Sequence, residues 1–321
     1  MKNTIQKHRL LAIMTVGLSV LILCPTANAE EGGSGHYAVG GTATMIDLVP
    51  TVPGWIVQPL YLHYDGDAGV SETLPIAGVV ALDVDATIDA LTLGGFYTFE
   101  QPVLGAHYSV GVLVPYMWMD VTATLSIAGR TFSRTDSVDG IGDITIIPAM
   151  LAWKSGSWQF NALLPIYAPT GDYEVGRLAN EGLNYWTFDP TVGVAYNNPK
   201  TGFNFALHTG VTFNTENEDT DYDSGSVLHV EVSAQQLLPV GKGFLGVGFN
   251  GFLYDQISAD DGAGATLGDF EGRSIGIGPV FSYILPTESG TGVIEARWLP
   301  ELDTKNRLEG DYFWVKAAWQ F

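Results

Sequence analysis

Three groups of residues in this 321-residue chain have types and spacings that can do chemistry. His107-Tyr108-Ser109 is a His-x-Ser pair, in which an imidazole can serve as general base for a hydroxyl two residues on and make an acyl hydrolase. Asp219, Asp221 and Asp223 alternate with Thr220 and Tyr222 ahead of Gly225, the spacing of a calcium loop. His208, His229 and Glu231 fall close together with Asp143, Asp189, Glu295, Arg297 and Lys316 as charged positions in otherwise apolar stretches, which suits a polar network or a ligand site.

Each group must be weighed with the element that carries it. His107 and Ser109 follow a short turn and share a face opposite Tyr108, Val110 and Val112. Barrel lipases and lipid A deacylases act at the other end of their barrels, and Val110 stands where those enzymes carry asparagine after the serine, so no enzyme is expected. The calcium-like loop lacks its closing glutamate, because Val230 falls at that position. A solvated acidic loop is favoured, with no metal. The glycines fall in strands and turns and build no phosphate or dinucleotide loop, so no cofactor is expected.

The start of the chain reads as a leader. Lys2, Lys7 and Arg9 precede fifteen residues from Leu10 to Cys24, and Ala27-Asn28-Ala29 gives a small-x-small cleavage pattern before Glu30. Removing residues 1–29 takes the only cysteine and three basic residues but no acid, leaving 11 basic against 35 acidic residues and a charge of −24 in place of −21. No disulfide can then form, and the charge excludes nucleic acid as a partner. Mean hydropathy is +0.16 with 46% hydrophobic residues, yet no later apolar run is long enough for a membrane helix of about 20 residues. Apolar character without long runs points to strands with one face in lipid.

Alternation supports this. Phe203, Phe205, Leu207, Val211 and Phe213 share one parity, and Asn204, Ala206, His208, Gly210 and Thr212 the other. The same reading predicts twelve strands near 54–64, 79–100, 105–127, 139–154, 157–168, 184–197, 202–214, 226–240, 243–257, 272–285, 292–300 and 310–321. Long loops at 65–78, 128–138, 169–183, 215–225, 258–271 and 301–309 alternate with short turns. The long loops hold 19 of the 35 acidic residues and the turns only Glu288. A transmembrane β-barrel has this asymmetry, with long loops outside the cell, whereas a β-sandwich gives no reason for it. The fold class is therefore an all-β closed antiparallel transmembrane β-barrel in the outer membrane, in contact with lipid and lipopolysaccharide. Phe321 ends an amphipathic strand with Phe313, Val315, Ala317 and Trp319 on its outer face, a signal for the barrel-assembly machinery. Trp55, Tyr61, Tyr64, Trp118, Trp153, Trp158, Tyr185, Trp186, Tyr254, Trp298 and Trp314 are expected in the interfacial girdles.

Twelve strands enclose a narrow lumen. Its lining is expected to include Asp143, Asp189, His208, His229, Glu231, Glu295, Arg297 and Lys316, with Asp83, Asp85 and Asp89 also inward; His208, His229 and Glu231 are placed to meet. Gly210, Gly246, Gly248, Gly276 and Gly278 suggest a path of small residues or, equally, the close packing of a plug. Residues 30–53 differ in texture, with His36 and Tyr37 in a glycine-rich run and Pro50 and Pro53 after it, and read equally as a tail or as a hatch entering the lumen before the barrel at 54–321.

The Gly-Ser-Gly-His-Tyr run at 33–37, the Pro53-Gly54-Trp55 entry and the strand end at 61–66 resemble the outer-membrane proteins associated with the meta-pathway of phenol degradation. The resemblance implies passive uptake of small hydrophobic or aromatic solutes, by analogy with fatty-acid and toluene channels, and carries no catalytic residues. The alternative is a structural or adhesive barrel without a passage.

Overall fold

The computed structural model describes residues 31, 34–68, 73–127, 130–267 and 271–321; the expected leader lies outside the described residues. Seventeen strand segments form one sheet. They are β1 (Gly54–Asp67), β2 (Thr73–Ile76), β3 (Val79–Thr98), β4 (His107–Ile127), β5 (Arg130–Ile141) and β6 (Ile144–Ser155). Next come β7 (Trp158–Leu163), β8 (Ile166–Ala168), β9 (Thr187–Phe188), β10 (Thr191–Asn198), β11 (Phe203–Val211) and β12 (Phe213–Asn214). The last five are β13 (Val227–Val240), β14 (Gly243–Gln256), β15 (Arg273–Thr287), β16 (Gly290–Lys305) and β17 (Glu309–Gln320).

Five pairs of segments are each one interrupted stave: β1 with β2, β5 with β6, β7 with β8, β9 with β10, and β11 with β12. The two members of each pair share a neighbouring stave in continuous direction, which reduces seventeen segments to twelve antiparallel staves. Pairing of β1 with β17, from Ile56 opposite Gln320 to Asp67 opposite Glu309, closes the cylinder. Trp55 and Phe321 exchange both backbone bonds at the end of that seam. Closure leaves no sheet edge, which lipid would leave without hydrogen-bond partners.

The strands form here because their two faces meet different solvents. On β17, Phe313 and Trp319 are exposed outward while Trp314 and Lys316 are buried inside. The tight turns at the opposite end from the loops use glycine where the backbone needs positive φ, at Gly156 (φ 63°) and Gly241 (φ 60°). An outward chain of rings, Trp55–Tyr97–Phe99–Tyr108, crosses β1, β3 and β4 at the turn end, with centroids 4.9–5.2 Å apart.

Three expectations need correction. Residues 130–138, expected as loop, belong to strand β5, which runs on into the expected strand at 139–141: it pairs with β4 from Ile127 opposite Arg130 to Tyr116 opposite Ile141. Much of that hairpin is Thr, Ser and charge on its exposed face, so it lacks the apolar alternation that marks a strand in lipid. Asp83, Asp85 and Asp89 face outward. A register shift between Leu82 and Asp85 leaves Val84, Ala86 and Ala90 buried inside, and Asp89 bonds Tyr61 and His63 on the outer surface. Finally, Tyr64, Tyr185, Tyr254 and Trp314 are buried inside the barrel and belong to no girdle.

Candidate functional site

The site is the lumen, and residues 34–53 divide it. At the loop end Glu31 precedes this segment and is buried. Its carboxylate accepts bonds from Gly78 N, Asn217 Nδ2 and the Tyr173 and Thr220 hydroxyls, at 3.2, 2.9, 3.4 and 3.3 Å. Burial pushes the Glu31 carboxyl above the usual carboxylate range, against the downward pull of these four bonds, none of which comes from a cation. At the turn end Gln159 Nε2 donates to Val49 O, Lys154 Nζ to Thr51 Oγ1 and Gln320 Nε2 to Val52 O. The segment therefore runs the length of the cylinder.

Between those ends it is bolted to one wall. Arg297 on β16 donates to Asp47 Oδ2 at 2.7 Å, to Thr44 Oγ1 at 2.8 Å and to Gly40 O at 2.6 Å, and pairs with Glu295 at 2.6 Å. Lys316 on β17 donates to Asp47 Oδ1 at 2.8 Å and to Gly40 O at 2.9 Å. Glu231 on β13 accepts from the Tyr37 hydroxyl at 2.5 Å and from Gly40 N at 2.8 Å. Trp314 Nε1 donates to Val39 O, and Ser233 Oγ to Ala43 O. A short 3-10 turn, Met45–Asp47, presents Asp47 to both cations. Ionic hydrogen bonds in a dry setting are strong but demand that both partners stay paired.

The two buried histidines each lie across a glycine. His208 pairs with Gly193, which pairs with Asn161, and its Nε2 lies 3.2 Å from Asn161 Nδ2. His229 pairs with Gly210, and its Nε2 lies 2.8 Å from Asp189 Oδ1. A Cβ on Gly193 would strike the His208 ring, and one on Gly210 would strike His229 Nε2. The absent side chain lets an imidazole reach a partner two staves away. Tyr37 stacks on His229 with centroids 3.7 Å apart. His208 lies opposite Glu231 in register and Tyr37 touches both His229 and Glu231, while the hydrogen bonds of the two imidazoles go to different partners, Asn161 and Asp189.

The other glycines favour close packing over a small-residue path. Gly276 is covered by Phe252, Gly246 by Ser282 and Gln235, and Gly248 and Gly278 lie against the backbone of Ala234 and Trp298. They serve close packing. The open space lies across the lumen, where a cavity of about 640 Å³ separates the segment from β1, β3, β4 and β6. Leu60, Ile88, Leu113, Met117, Met119, Ile147 and Met150 face Met45, Ile46 and Leu48 across it. The four methionines after residue 29 all line this cavity. Of the charged positions expected in the lining, Asp143, Asp189, His208 and Lys316 reach it, while His229, Glu231, Glu295 and Arg297 are buried behind the segment.

Asp143 occupies the break between β5 and β6. Its Oδ1 accepts from Thr170 N and Gly171 N at 2.8 and 2.9 Å, and its Oδ2 accepts from Leu183 N at 2.8 Å. The same Oδ2 lies 2.8 Å from His36 Nε2, whose ring sits between Tyr167 and Tyr185. In the acidic loop, Asp219 accepts from Asn184, the backbone of Asp223 pairs with that of Asp261, and Glu216 titrates high because it shares a hydrogen bond with Asp221. Among the described residues no group of three or more His, Cys, Asp and Glu is placed to hold a metal ion. Ser109 is buried and bonds Thr98 Oγ1 at 2.8 Å.

Comparison with known proteins follows the same lines. A family model described as "Putative MetA-pathway of phenol degradation" matches residues 69–317. Among solved structures, the COG4313 outer membrane channel from Pseudomonas putida F1 superposes with a TM-score of 0.63 at 14% identity, covering 89% of this chain and 100% of that one. The β domain of the Bordetella autotransporter BrkA gives 0.49 at 10% identity over 84% of this chain and 100% of that one, an overlap too loose to carry an argument. No curated protein matches.

Proposed function

The chain belongs to the family described by that MetA-pathway model and has the fold of a bacterial outer-membrane channel, and from this premise we propose that it admits small hydrophobic compounds by passive diffusion. The observation that carries the reading is the apolar cavity of about 640 Å³ between the lumen segment and the β1–β3–β4–β6 wall. A cavity of that size is in the range of small-molecule sites, and the part of its lining that comes from β1, β3 and β4 gives a neutral apolar solute a surface free of fixed charge. Residues 34–53 act as a hatch in this reading. Held by Arg297 and Lys316, they fill the polar half of the lumen and deny it to ions and sugars. Ser109 is buried with its hydroxyl bonded to Thr98, which suits a packing role in the wall. The family to which the chain belongs supports the same solute class, and Phe321, paired with Trp55 at the closing seam, is suited to recognition during assembly.

The test is uptake of labelled toluene and of labelled arabinose in cells lacking the gene and in the complemented strain. Gene-dependent entry of toluene alone is the expected result. Equal gains for both would make the protein a general pore, and no gain for either would leave the structural barrel as the reading.

A further inference from the structure

The apolar surface does not stop at the upper end of the main cavity. A second compartment of about 90 Å³ lies above it, lined by Leu74, Ile76, Val84, Val121 and Leu178. Ile88, Met119, Leu183 and Leu308 border both spaces together with Ser34 and Asn180, so the two share a mostly apolar wall, with Glu31 at the edge of the upper one. Residues 169–183 roof the upper compartment. Their inner side presents Leu178 and Ala179, both buried in a cluster with Leu74, Val84 and Val121. Their outer side presents Asp172 and Glu174, with side chains 79% and 66% exposed. An amphipathic loop over an apolar mouth is built as a cover.

Its attachments are unequal. At the base, Asp143 takes backbone N–H groups from both ends of the loop, Thr170 and Gly171 on one side and Leu183 on the other. Beyond the base, the holds are single bonds: Gly176 N to Ala77 O, Arg134 Nη1 to Gly176 O and Leu178 N to Asp136 Oδ2, at 2.7, 2.8 and 2.8 Å, and the Tyr173 hydroxyl, which accepts from Asn217 Nδ2 at 2.9 Å and donates to Glu31 Oε1 at 3.4 Å. The chain can swing about a fixed base when those are released, which is the arrangement of a hinged lid. Asp143 also contacts His36, so the base of the cover and the lumen segment share one carboxylate.

We propose that the compartment beneath residues 169–183 is the entry site for a small neutral apolar solute arriving from outside, and that this loop is its lid, hinged at Asp143. The proposal rests on the channel reading above and adds to it where the solute binds first and what must move. At about 90 Å³ the compartment is much smaller than the cavity below it, and lifting Leu178 and Ala179 enlarges it and opens it outward.

The experiment locks the lid. Asp136→Cys with Leu178→Cys puts a thiol on each of two residues now joined by a side-chain carboxylate to backbone N–H bond, and loss of free thiol on oxidation reports that the lock has formed, the Leu178→Asp variant below serving where it does not. The only native cysteine is Cys24, in the expected leader. Labelled toluene uptake is followed in intact cells before and after reduction. The expected result is that the oxidised pair lowers uptake to that of cells lacking the protein and that reduction restores it. Equal uptake in both states, with normal gene-dependent uptake by the unsubstituted protein, overturns the lid and leaves the channel standing. Absence of uptake by the unsubstituted protein overturns both. Should the double variant fail to assemble, Leu178→Asp serves in its place: a carboxylate at the lid tip cannot rest in the apolar cluster, so uptake rises several-fold if the loop gates entry, and unchanged or lower uptake overturns the gate.

Discussion

The two walls of the lumen are made of one continuous sheet, and the difference that bears on passage is in what they turn inward. From β13 to β17 the inner residues are Glu231, Ser233, Arg297 and Lys316, each tied by a directional bond to residues 34–53. From β1 to β6 they are Leu60, Ile88, Leu113, Met117 and Met150, which bind nothing by direction. One wall specifies a partner and a position along its length, and the other, between its two end contacts at Lys154 and Asp143, excludes water with apolar side chains. A barrel can therefore carry its own occupant on one side and leave the other side slippery. Methionine suits the second task, because an unbranched, polarizable side chain adapts to shapes that differ.

Removing the occupant should erase the contrast most completely. Deleting residues 31–48 leaves the seam between β1 and β17 intact and exposes the charged wall to water. We expect single-channel conductance in planar bilayers to rise roughly tenfold, toward that of an open barrel of this strand number, with arabinose now entering. Unchanged conductance would mean that the segment does not obstruct the lumen. Arg297→Met is the next largest change. It strands Asp47 and Glu295 without their shared partner in a buried site, a loss of about 3–5 kcal/mol, read as a lower temperature for loss of the compact form in detergent. A stability equal to the parent's would show that Lys316 alone holds Asp47.

The smallest effect expected is on pH. The Glu31 carboxyl titrates above its unfolded value of about 4.3, so its contribution to anchoring is present in full below that value and is lost as pH rises through the higher, folded one. Protease cleavage near residue 31 should accordingly slow as pH is lowered from 8 toward 5, and Glu31→Gln should flatten that dependence. A pH profile identical in the two proteins would remove Glu31 from the attachment.

Much of the barrel was legible because lipid imposes a period of two. The staves from 202 to 257 announce themselves through Phe203, Phe205 and Leu207, or Val230 and Val232, set against polar neighbours. The passage was not legible for the opposite reason. On β4, Val110, Val112 and Val114 alternate with Leu113, Met117 and Met119, so both parities are apolar from 110 to 119. A strand apolar on both faces has lipid on one side and an apolar lumen on the other, and that signal could have located the cavity wall. The charged positions stood out individually, but the partners of Arg297 and Lys316 at Gly40 and Asp47 lie some 250 residues away in a stretch without alternation. The glycines were visible and their purpose was not, because a ring lying across Gly193 or Gly210 is a fact of register between staves.

The lumen segment passes directly from Val52 and Pro53 into β1, with no linker between them. It is thus a ligand covalently joined to its own receptor. Even a short flexible tether holds a ligand at an effective concentration in the millimolar range, and this one is shorter still. A bond set that releases for a moment, at Asp47 or at Tyr37, finds its partner again before the peptide can diffuse away. The barrel can then let its occupant yield to a passing solute and recover it, whereas the same residues supplied as a free peptide to a barrel lacking them would have to reach millimolar levels to do as well.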